Sequence, residues 1–190
     1  MQGIDTAQRL TLPQIDLLHA RGFRFAARYY AGNDGNPKTL IGDEIAALLA
    51  RGFGILPVFQ TSANFPAYFT YQRGLEDGAA ARQDGLRRGQ PLGTPTCFAV
   101  DSDITDPAIQ LTDYFNGVFE RIDGAYVIGV YGEFEVIEFA RFNFPALGFF
   151  WQTRAWSGTP PQVSQFADVY QMGQKEIAPG LTVDFNFARS

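Results

Sequence analysis

Cysteine and histidine are nearly absent from this 190-residue chain, and their scarcity excludes several kinds of chemistry. The one cysteine, Cys97, cannot form an internal disulfide, and its apolar neighbours predict a small buried hydrophobic residue. The one histidine, His19, falls on a predicted helix, so a cysteine–histidine nucleophile pair is not expected. The same scarcity argues against a zinc site. We therefore expect neither a metal nor an organic cofactor.

Basic surface and long apolar runs are also lacking. The 15 Lys and Arg residues are outnumbered by 20 Asp and Glu, giving a net charge of −5, and no basic run exceeds two residues. Nucleic acid is therefore not an expected partner. No apolar window reaches transmembrane length, and the opening "MQGIDTAQRL" does not have the pattern of a signal peptide. We expect a monomer. The sequence does not determine the location: the protein is either exported itself or a domain of a secreted or cell-wall-associated protein.

Aromatic residues are abundant, at 15% of the chain with 18 phenylalanines, among 46% hydrophobic residues overall. Aromatic side chains fill cores and also line carbohydrate grooves. A chain of this length and composition is expected to form one globular domain over residues 1–190.

Strand and helix patterns alternate along the first three quarters of the chain. The predicted strands are residues 3–6, 23–30, 53–60, 96–103 and 126–132. The predicted helices between and after them are residues 11–22, 42–52, 76–89, 106–122 and 133–142. Three further strands follow without helices, at 147–156, 165–172 and 181–188. This order predicts an α/β fold, a TIM-barrel-like arrangement of five βα units followed by three β units, with a doubly wound open sheet as the alternative.

The stretch "TCFAVDSD" (96–103) ends in two carboxylates, Asp101 and Asp103. Read as one strand, its alternation would direct both acids to the same face, roughly 6–7 Å apart. Two like charges at that distance repel each other. Paired carboxylates of this kind are more typical of acid–base catalysis than of a purely structural role. The acids on predicted helices, such as Asp16, Glu44, Asp113 and Glu120, are instead expected to face solvent.

The carboxyl ends of the strands of such a barrel converge on one mouth, where active sites lie. Acids, amides and aromatic residues are expected there. The catalytic candidates are Asp5, Asp101, Asp103, Glu133 and Asp184. The candidates for substrate contact are Tyr30, Gln60, Tyr131, Trp151, Gln152, Tyr170, Gln171 and Asn186. Arg28 and Arg154 could pair with mouth acids or with anionic groups on a ligand.

This set of side chains favours chemistry performed by paired carboxylates. The serine-hydrolase pattern GxSxG is absent, and so is a glycine-rich phosphate loop followed by lysine. Glycoside hydrolysis fits, because one acid protonates the leaving oxygen while another acts as base, nucleophile or electrostatic stabiliser. Crowding raises the pKa of at least one carboxyl group, which keeps that group protonated as the acid.

Four motifs in order, "GIDT" (3–6), "FAVDSD" (98–103), "IGVYG" (128–132) and "VDFNFA" (183–188), resemble family 25 glycoside hydrolases, the lysozyme-type muramidases. The resemblance is closer to their relatives, the glycoside-hydrolase-like domains of unknown function 1906. It implies an eight-stranded barrel and hydrolysis of peptidoglycan or a related polysaccharide. It also implies site roles for Asp5, Asp101 and Asp184, and it places Asp103 where the muramidases have a catalytic glutamate.

Asp103 is the main departure from the muramidase pattern, because its carboxyl group is retracted by roughly 1 Å relative to glutamate, which can cost about a hundredfold in rate. Glu133 could substitute as the acid, or could be a favourable anion in the first turn of its helix. Two other hypotheses stay open. The barrel could be a catalytically weak or inactive glycan-binding module, or an unrelated barrel hydrolase or isomerase acting on a small soluble substrate.

Overall fold

The computed structural model describes residues 1–30 and 33–189. Its strands are β1 (Gln2–Asp5), β2 (Phe25–Tyr30), β3 (Gly54–Phe59), β4 (Pro95–Ala99), β5 (Val127–Gly132), β6 (Phe149–Thr153), β7 (Val169–Ala178) and β8 (Leu181–Ala188). Its α-helices are α1 (Leu12–Ala20), α2 (Gly42–Ala50), α3 (Tyr71–Arg87), α4 (Pro107–Ile122) and α5 (Phe134–Asn143). None of these helices is long and apolar enough to span a bilayer.

The strands form a closed barrel in chain order. This confirms the predicted barrel with five βα units followed by three strands, and the open doubly wound sheet is wrong. Strands β1 to β7 pair with one another in parallel, whereas β8 is antiparallel to both β7 and β1. A two-residue connection can join only antiparallel strands, because a parallel pair needs a long crossover. Gly180, with φ of +75°, lies in that connection.

Two predicted boundaries differ from the structure in ways that affect the site. The segment 173–180, predicted as a loop, mostly continues β7, which is ten residues long. Strand β4 ends at Ala99, so Asp101 and Asp103 lie in the following loop, and the alternation argument does not apply to them. There the backbone N–H of Asp101 donates to the carbonyl of Ala63 at 2.8 Å, because the chain has left the sheet ladder.

The hydrophobic core joins residues that line the inside of the barrel, such as Val58 and Trp151, with residues of the surrounding helices, such as Leu48 and Val118. Helices α3 and α4 pack with their backbones close together, since a Cβ added at Gly74 would lie 2.0 Å from the carbonyl oxygen of Tyr114. Cys97 is fully buried and free, which confirms its interpretation as a small core residue.

A buried ion pair joins β2 to α2. Arg28, which is 0% exposed, donates from Nε to Oε1 of Glu44 at 2.7 Å and from Nη2 to Oε2 at 3.2 Å. Its Nη1 also donates to the carbonyl of Thr6. The prediction of a solvated Glu44 is therefore wrong, and so is the prediction that Arg28 pairs with acids of the mouth. Arg28 lies on the outer face of its strand, where burial requires a partner for its charge.

Candidate active site

The carboxyl ends of β1 to β7 meet at one end of the barrel, here called the mouth. A small recess of about 20 Å³ opens between the strands at this end. It is lined by Tyr29, Val58, Gln60, Ala99, Asp101, Tyr131 and Trp151. A larger cleft of about 680 Å³ lies between α3 and α4, but it contains none of the predicted site residues. The candidate active site is therefore the mouth, although the recess there is smaller than the cleft between α3 and α4.

Asp5 lies at the end of β1 and is 2% exposed. Its Oδ2 accepts hydrogen bonds from Nε2 of Gln171 at 2.8 Å and from Nδ2 of Asn186 at 2.7 Å. Burial raises the pKa of Asp5 to about 7, and the charge of Asp184, its cross-strand neighbour, contributes in the same direction. The two amide hydrogen bonds oppose this rise by stabilising the carboxylate.

The two amides are held in turn by other side chains. Oε1 of Gln171 accepts from the hydroxyl of Tyr131 at 2.9 Å and from Oγ1 of Thr153 at 2.7 Å. Oδ1 of Asn186 accepts from Nε1 of Trp151 at 2.8 Å. These side chains were predicted as substrate contacts. In the structure, Gln171 and Asn186 bind Asp5 directly, and Tyr131 and Trp151 bind the two amides.

Asp184 and Asp101 complete an acidic cluster with Asp5. Burial raises the pKa of Asp184, with a smaller contribution from the charge of Asp101, while a hydrogen bond from Gln174 lowers it. Asp101 is half-buried, and its Oδ2 accepts from Nε2 of Gln60 at 2.9 Å. The structure thus brings together acids that are separated by nearly the whole chain.

Glu133 and Asp103 form a second acidic pair, on the neighbouring loops. Glu133 is 2% exposed, and its Oε1 accepts from the backbone N–H of Ile104 at 2.8 Å. Burial raises the pKa of Glu133 to about 7, and the nearby charges of Glu135 and Asp103 add to that effect. Asp103 itself is exposed. Glu133 therefore joins the β5–α5 junction to the β4–α4 loop.

Three predicted substrate contacts do not reach the mouth, because strand alternation directs them outward. Tyr30 is buried against the helices, and its hydroxyl donates to Oε1 of Gln90 at 3.2 Å. Gln152 is fully buried, and its Nε2 donates to the carbonyl of Gln162 at 2.8 Å. Tyr170 lies opposite Gln152 in the register of β6 and β7, on the outer face. Their placement at the mouth was wrong.

Arg154 follows β6 and is exposed. Within residues 1–30 and 33–189 it forms no ion pair with the acids of the mouth. The described residues also contain no group of three His, Cys, Asp or Glu side chains placed to hold a metal ion. The side chains that donate hydrogen bonds to the acidic cluster are the amides of Gln60, Gln171, Gln174 and Asn186.

Two residues of the mouth were missed by sequence reasoning. Tyr29 lines the recess, and burial together with the charges of the acidic cluster raises its pKa well above the usual value. Lys38 extends its ammonium over the Tyr29 ring, 4.5 Å from the centroid, and donates to Oε1 of Gln60 at 3.0 Å. Strand alternation could have identified Tyr29, had Arg28 been assigned to the outer face. Lys38 lies in a loop, where no periodicity indicates direction.

Comparison with known proteins identifies the family of this chain. The family model described as "Rv2525c-like, glycoside hydrolase-like domain" matches residues 16–187. The uncharacterized protein YbfG of Bacillus subtilis (strain 168) is 31% identical over 145 residues, covering 67% of this chain and 20% of that protein. The chain thus spans about a fifth of the length of the curated relatives it matches.

Solved structures show the same fold. The Tat-secreted protein Rv2525c of Mycobacterium tuberculosis, in complex with L-tartrate, superposes with a TM-score of 0.84 at 20% identity, covering 100% of this chain and 95% of that one. A family 25 glycosyl hydrolase from Bacillus anthracis superposes with a TM-score of 0.61 at 12% identity, covering 100% and 89%. The predicted resemblance is confirmed, and the chain belongs to the Rv2525c-like, glycoside hydrolase-like domain family.

Proposed function

We propose that this domain is a glycosidase that hydrolyses O-glycosyl bonds of peptidoglycan or a related cell-wall polysaccharide. The observation that carries the proposal is the acidic cluster of Asp5, Asp101 and Asp184 at one end of the barrel, whose charges act on one another. Membership of a glycoside hydrolase-like family supports the same conclusion.

The proposed mechanism divides the work between two carboxyl groups. Asp184 is the acid, because its pKa is raised and the half-buried group stays in reach of solvent at the mouth. It protonates the leaving oxygen, while Asp101, oriented by Gln60, acts as base or nucleophile on the opposite side of the scissile bond. Asp5 is more deeply buried than either of them, and whenever it is protonated it adds no negative charge beside Asp184.

The shape of the mouth favours a polymer over a small enclosed substrate. Pockets that enclose small ligands usually measure about 300–1,000 Å³, and the recess here holds about 20 Å³. A substrate would lie across the open mouth and contact the recess with one group. A glycan chain is long enough to lie across the mouth in this way. A small soluble metabolite, the substrate of the isomerase hypothesis, would need an enclosing pocket.

The test is the clearing of a suspension of purified bacterial cell walls, with release of reducing ends measured in parallel. We expect Asp101→Asn and Asp184→Asn each to lower the rate by about a hundredfold or more. Asp113→Asn is the matched control, because Asp113 is exposed on α4. Equal rates for the parent and both cluster variants would overturn the proposal.

Asp103→Asn tests Asp103 against Asp184 as the proton donor. Asp103 is exposed on the loop after β4. The motif resemblance to the muramidases implies that it corresponds to their catalytic glutamate. If Asp184 is the acid, Asp103→Asn retains most of the activity. A loss equal to that of Asp184→Asn would reassign the acid to Asp103.

A glycan-binding module is the second candidate, favoured by the aspartate at position 103 and by the small recess. It predicts co-sedimentation with cell walls that survives Asp101→Asn, with no clearing by the parent protein. Either function places the domain outside the cytoplasm, where this polymer is found. Detection of the native protein in culture supernatant or cell-wall fractions checks that placement.

A further inference from the structure

Lys38 stands out among the basic residues of the chain. The sequence contains 15 lysine and arginine residues, of which only Lys38 and Lys175 are lysines. Lys38 is half-buried beside the mouth, with its ammonium 4.5 Å from the centroid of the Tyr29 ring. In the described part of the chain it forms no ion pair with a carboxylate. An ion pair therefore does not explain why this ammonium group is half-buried beside the mouth.

The contacts of Lys38 lead to Asp101 through one side chain. Lys38 Nζ donates to Oε1 of Gln60 at 3.0 Å, and Nε2 of Gln60 donates to Oδ2 of Asp101 at 2.9 Å. Gln60 is itself buried. The three groups form a chain of hydrogen bonds from a cation, through an amide, to an anion.

The charges at the two ends determine which way the Gln60 amide points. An ammonium has only donors, and an ionised carboxylate has only acceptors. The reversed amide would place its NH₂ against the ammonium and its oxygen against the carboxylate, losing both hydrogen bonds. The observed orientation is therefore the one that satisfies both neighbours, independently of how amide atoms are assigned.

We infer that Lys38 is a positioning residue for Asp101, acting through Gln60. Its ammonium holds the Gln60 side chain with the amide N–H directed at Oδ2 of Asp101, which fixes the carboxylate for attack or proton abstraction. This inference rests on the proposed function for its catalytic consequence. The positioning itself is a property of the folded protein.

The electrostatic surroundings agree with this role. Burial lowers the pKa of Lys38, and the charge of Asp101 opposes that decrease. The other titratable groups around Asp101 are Asp184, whose pKa responds to the charge of Asp101, and the phenols of Tyr29 and Tyr131. Lys38 is the cation of this group, so the charge of Asp101 helps to keep the ammonium protonated beside an aromatic ring.

A purely structural role for Lys38 is the competing explanation, and the experiment must separate the two. The loop of Lys38 is also attached to the barrel without it, since the backbone N–H of Leu40 donates to the carbonyl of Tyr29 at 2.9 Å. The thermal stability of Lys38→Met is therefore expected to stay close to that of the parent, and a loss of function in that variant would not be a loss of fold.

The first arm of the test needs no activity. With ¹³Cε-labelled lysine the protein gives two lysine signals, from Lys38 and Lys175. We expect Asp101→Asn to lower the pKa of Lys38 further, because the negative charge of Asp101 opposes the decrease that burial causes. Lys175, which lies on β7 beside the Phe185 ring, is the internal control, and its signal should be the same in both proteins. An identical Lys38 titration in the parent and in Asp101→Asn would overturn the inference.

The second arm measures kinetics on cell walls. We expect Lys38→Met to lower kcat by about 10- to 100-fold with little change in KM, because a displaced catalytic group slows the chemical step. Lys38→Arg should recover part of this loss, and Lys175→Met should equal the parent. Unchanged kcat in Lys38→Met on an active parent would overturn the inference. An inactive parent would contradict the proposed function instead, and the lysine titration would still decide whether Lys38 and Asp101 are coupled.

Discussion

At the scale of single residues, the feature that matters most is a buried carboxyl group surrounded by amides. Two amide donors stabilise the charged form of Asp5, and burial opposes it with the larger effect. The result is a pKa of about 7 in place of 3.8. Such a group exchanges its proton near neutral pH, which is the range in which a carboxylate-based hydrolase needs a proton donor or an uncharged neighbour.

This raised pKa makes the stability of the fold depend on pH. The folded protein binds the Asp5 proton more tightly than the unfolded chain does, so the stabilisation is fully present below about pH 4 and is lost as the pH rises through about 7. Asp5→Asn removes that dependence. We expect its free energy of unfolding to exceed that of the parent by on the order of 1–3 kcal/mol at pH 8, and by little at pH 4.

Urea unfolding of both proteins between pH 4 and pH 8 measures this difference. Asp113→Asn serves as the control, because it removes the same charge from an exposed position on α4. A constant gap between parent and Asp5→Asn over the whole range would contradict the assignment of a raised pKa.

The residue scale is also where sequence reasoning reached its limit. It named Gln171 and Asn186 as polar groups of the mouth, and both are there. Their function as partners of Asp5 depends on which acceptor each amide faces, and that follows from side chains on β1, β5 and β6 that are distant in sequence. Tyr30 was misplaced because adjacent tyrosines, at 29 and 30, give no pattern from which to assign the two faces.

At the scale of elements, the pair of helices α3 and α4 is held by close backbone contact. Gly74 and Gly117 allow it, since a Cβ at Gly117 would lie 2.4 Å from the carbonyl oxygen of Tyr71. Tyr114, whose backbone meets Gly74, also belongs to a cluster of aromatic rings with Tyr68 and Phe69. Bulk added at the glycines would separate the helices and disturb that cluster.

We expect Gly74→Ala to lower the free energy of unfolding by about 2–4 kcal/mol, because the added methyl group meets backbone that cannot move aside. The gain of up to about 1 kcal/mol in helix propensity does not compensate. Gly42→Ala is the control, since Gly42 begins α2 and has no atom near an added Cβ. Urea midpoints that fall equally in the two variants would contradict this account.

The order of these elements could be predicted because each one has its own local signal. Helix α4 shows it clearly, with Asp106 accepting from the backbone N–H of Ile109 and a proline directly after it. The second part of β7, residues 173–178, was missed because it reads as a polar loop and is mostly exposed. Its strand conformation comes from pairing with β8, which no local pattern reveals.

At the scale of the whole molecule, Met1 and Ala188, near the two ends of the described chain, are neighbours in the closed sheet. The amino group of Met1 donates to the carbonyl of Ala188 at 2.8 Å, and the N–H of Ala188 donates back to the carbonyl of Met1 at 2.9 Å. The barrel is therefore closed by pairing between chain segments that are far apart in sequence.

This closure predicts that a circular permutant will fold. We expect a protein with Arg189 joined to Met1 by a short glycine–serine linker, and new ends between Pro91 and Leu92, to keep a cooperative thermal transition. Both residues at the new ends are exposed. A second permutant, opened between Phe98 and Ala99 in the buried β4, should not fold. Circular dichroism melts compare the two, and similar behaviour of both permutants would contradict the expectation.

The antiparallel direction of β8 has a consequence for protein engineering. In a fully parallel barrel, every group at the catalytic end sits next to a loop that can be exchanged. Here Asp184 and Asn186 lie inside a strand that is paired on both sides. Variant libraries that replace the βα loops would therefore change the loops that surround the mouth, and with them the choice of ligand, while Asp184 and Asn186 keep their positions in β8.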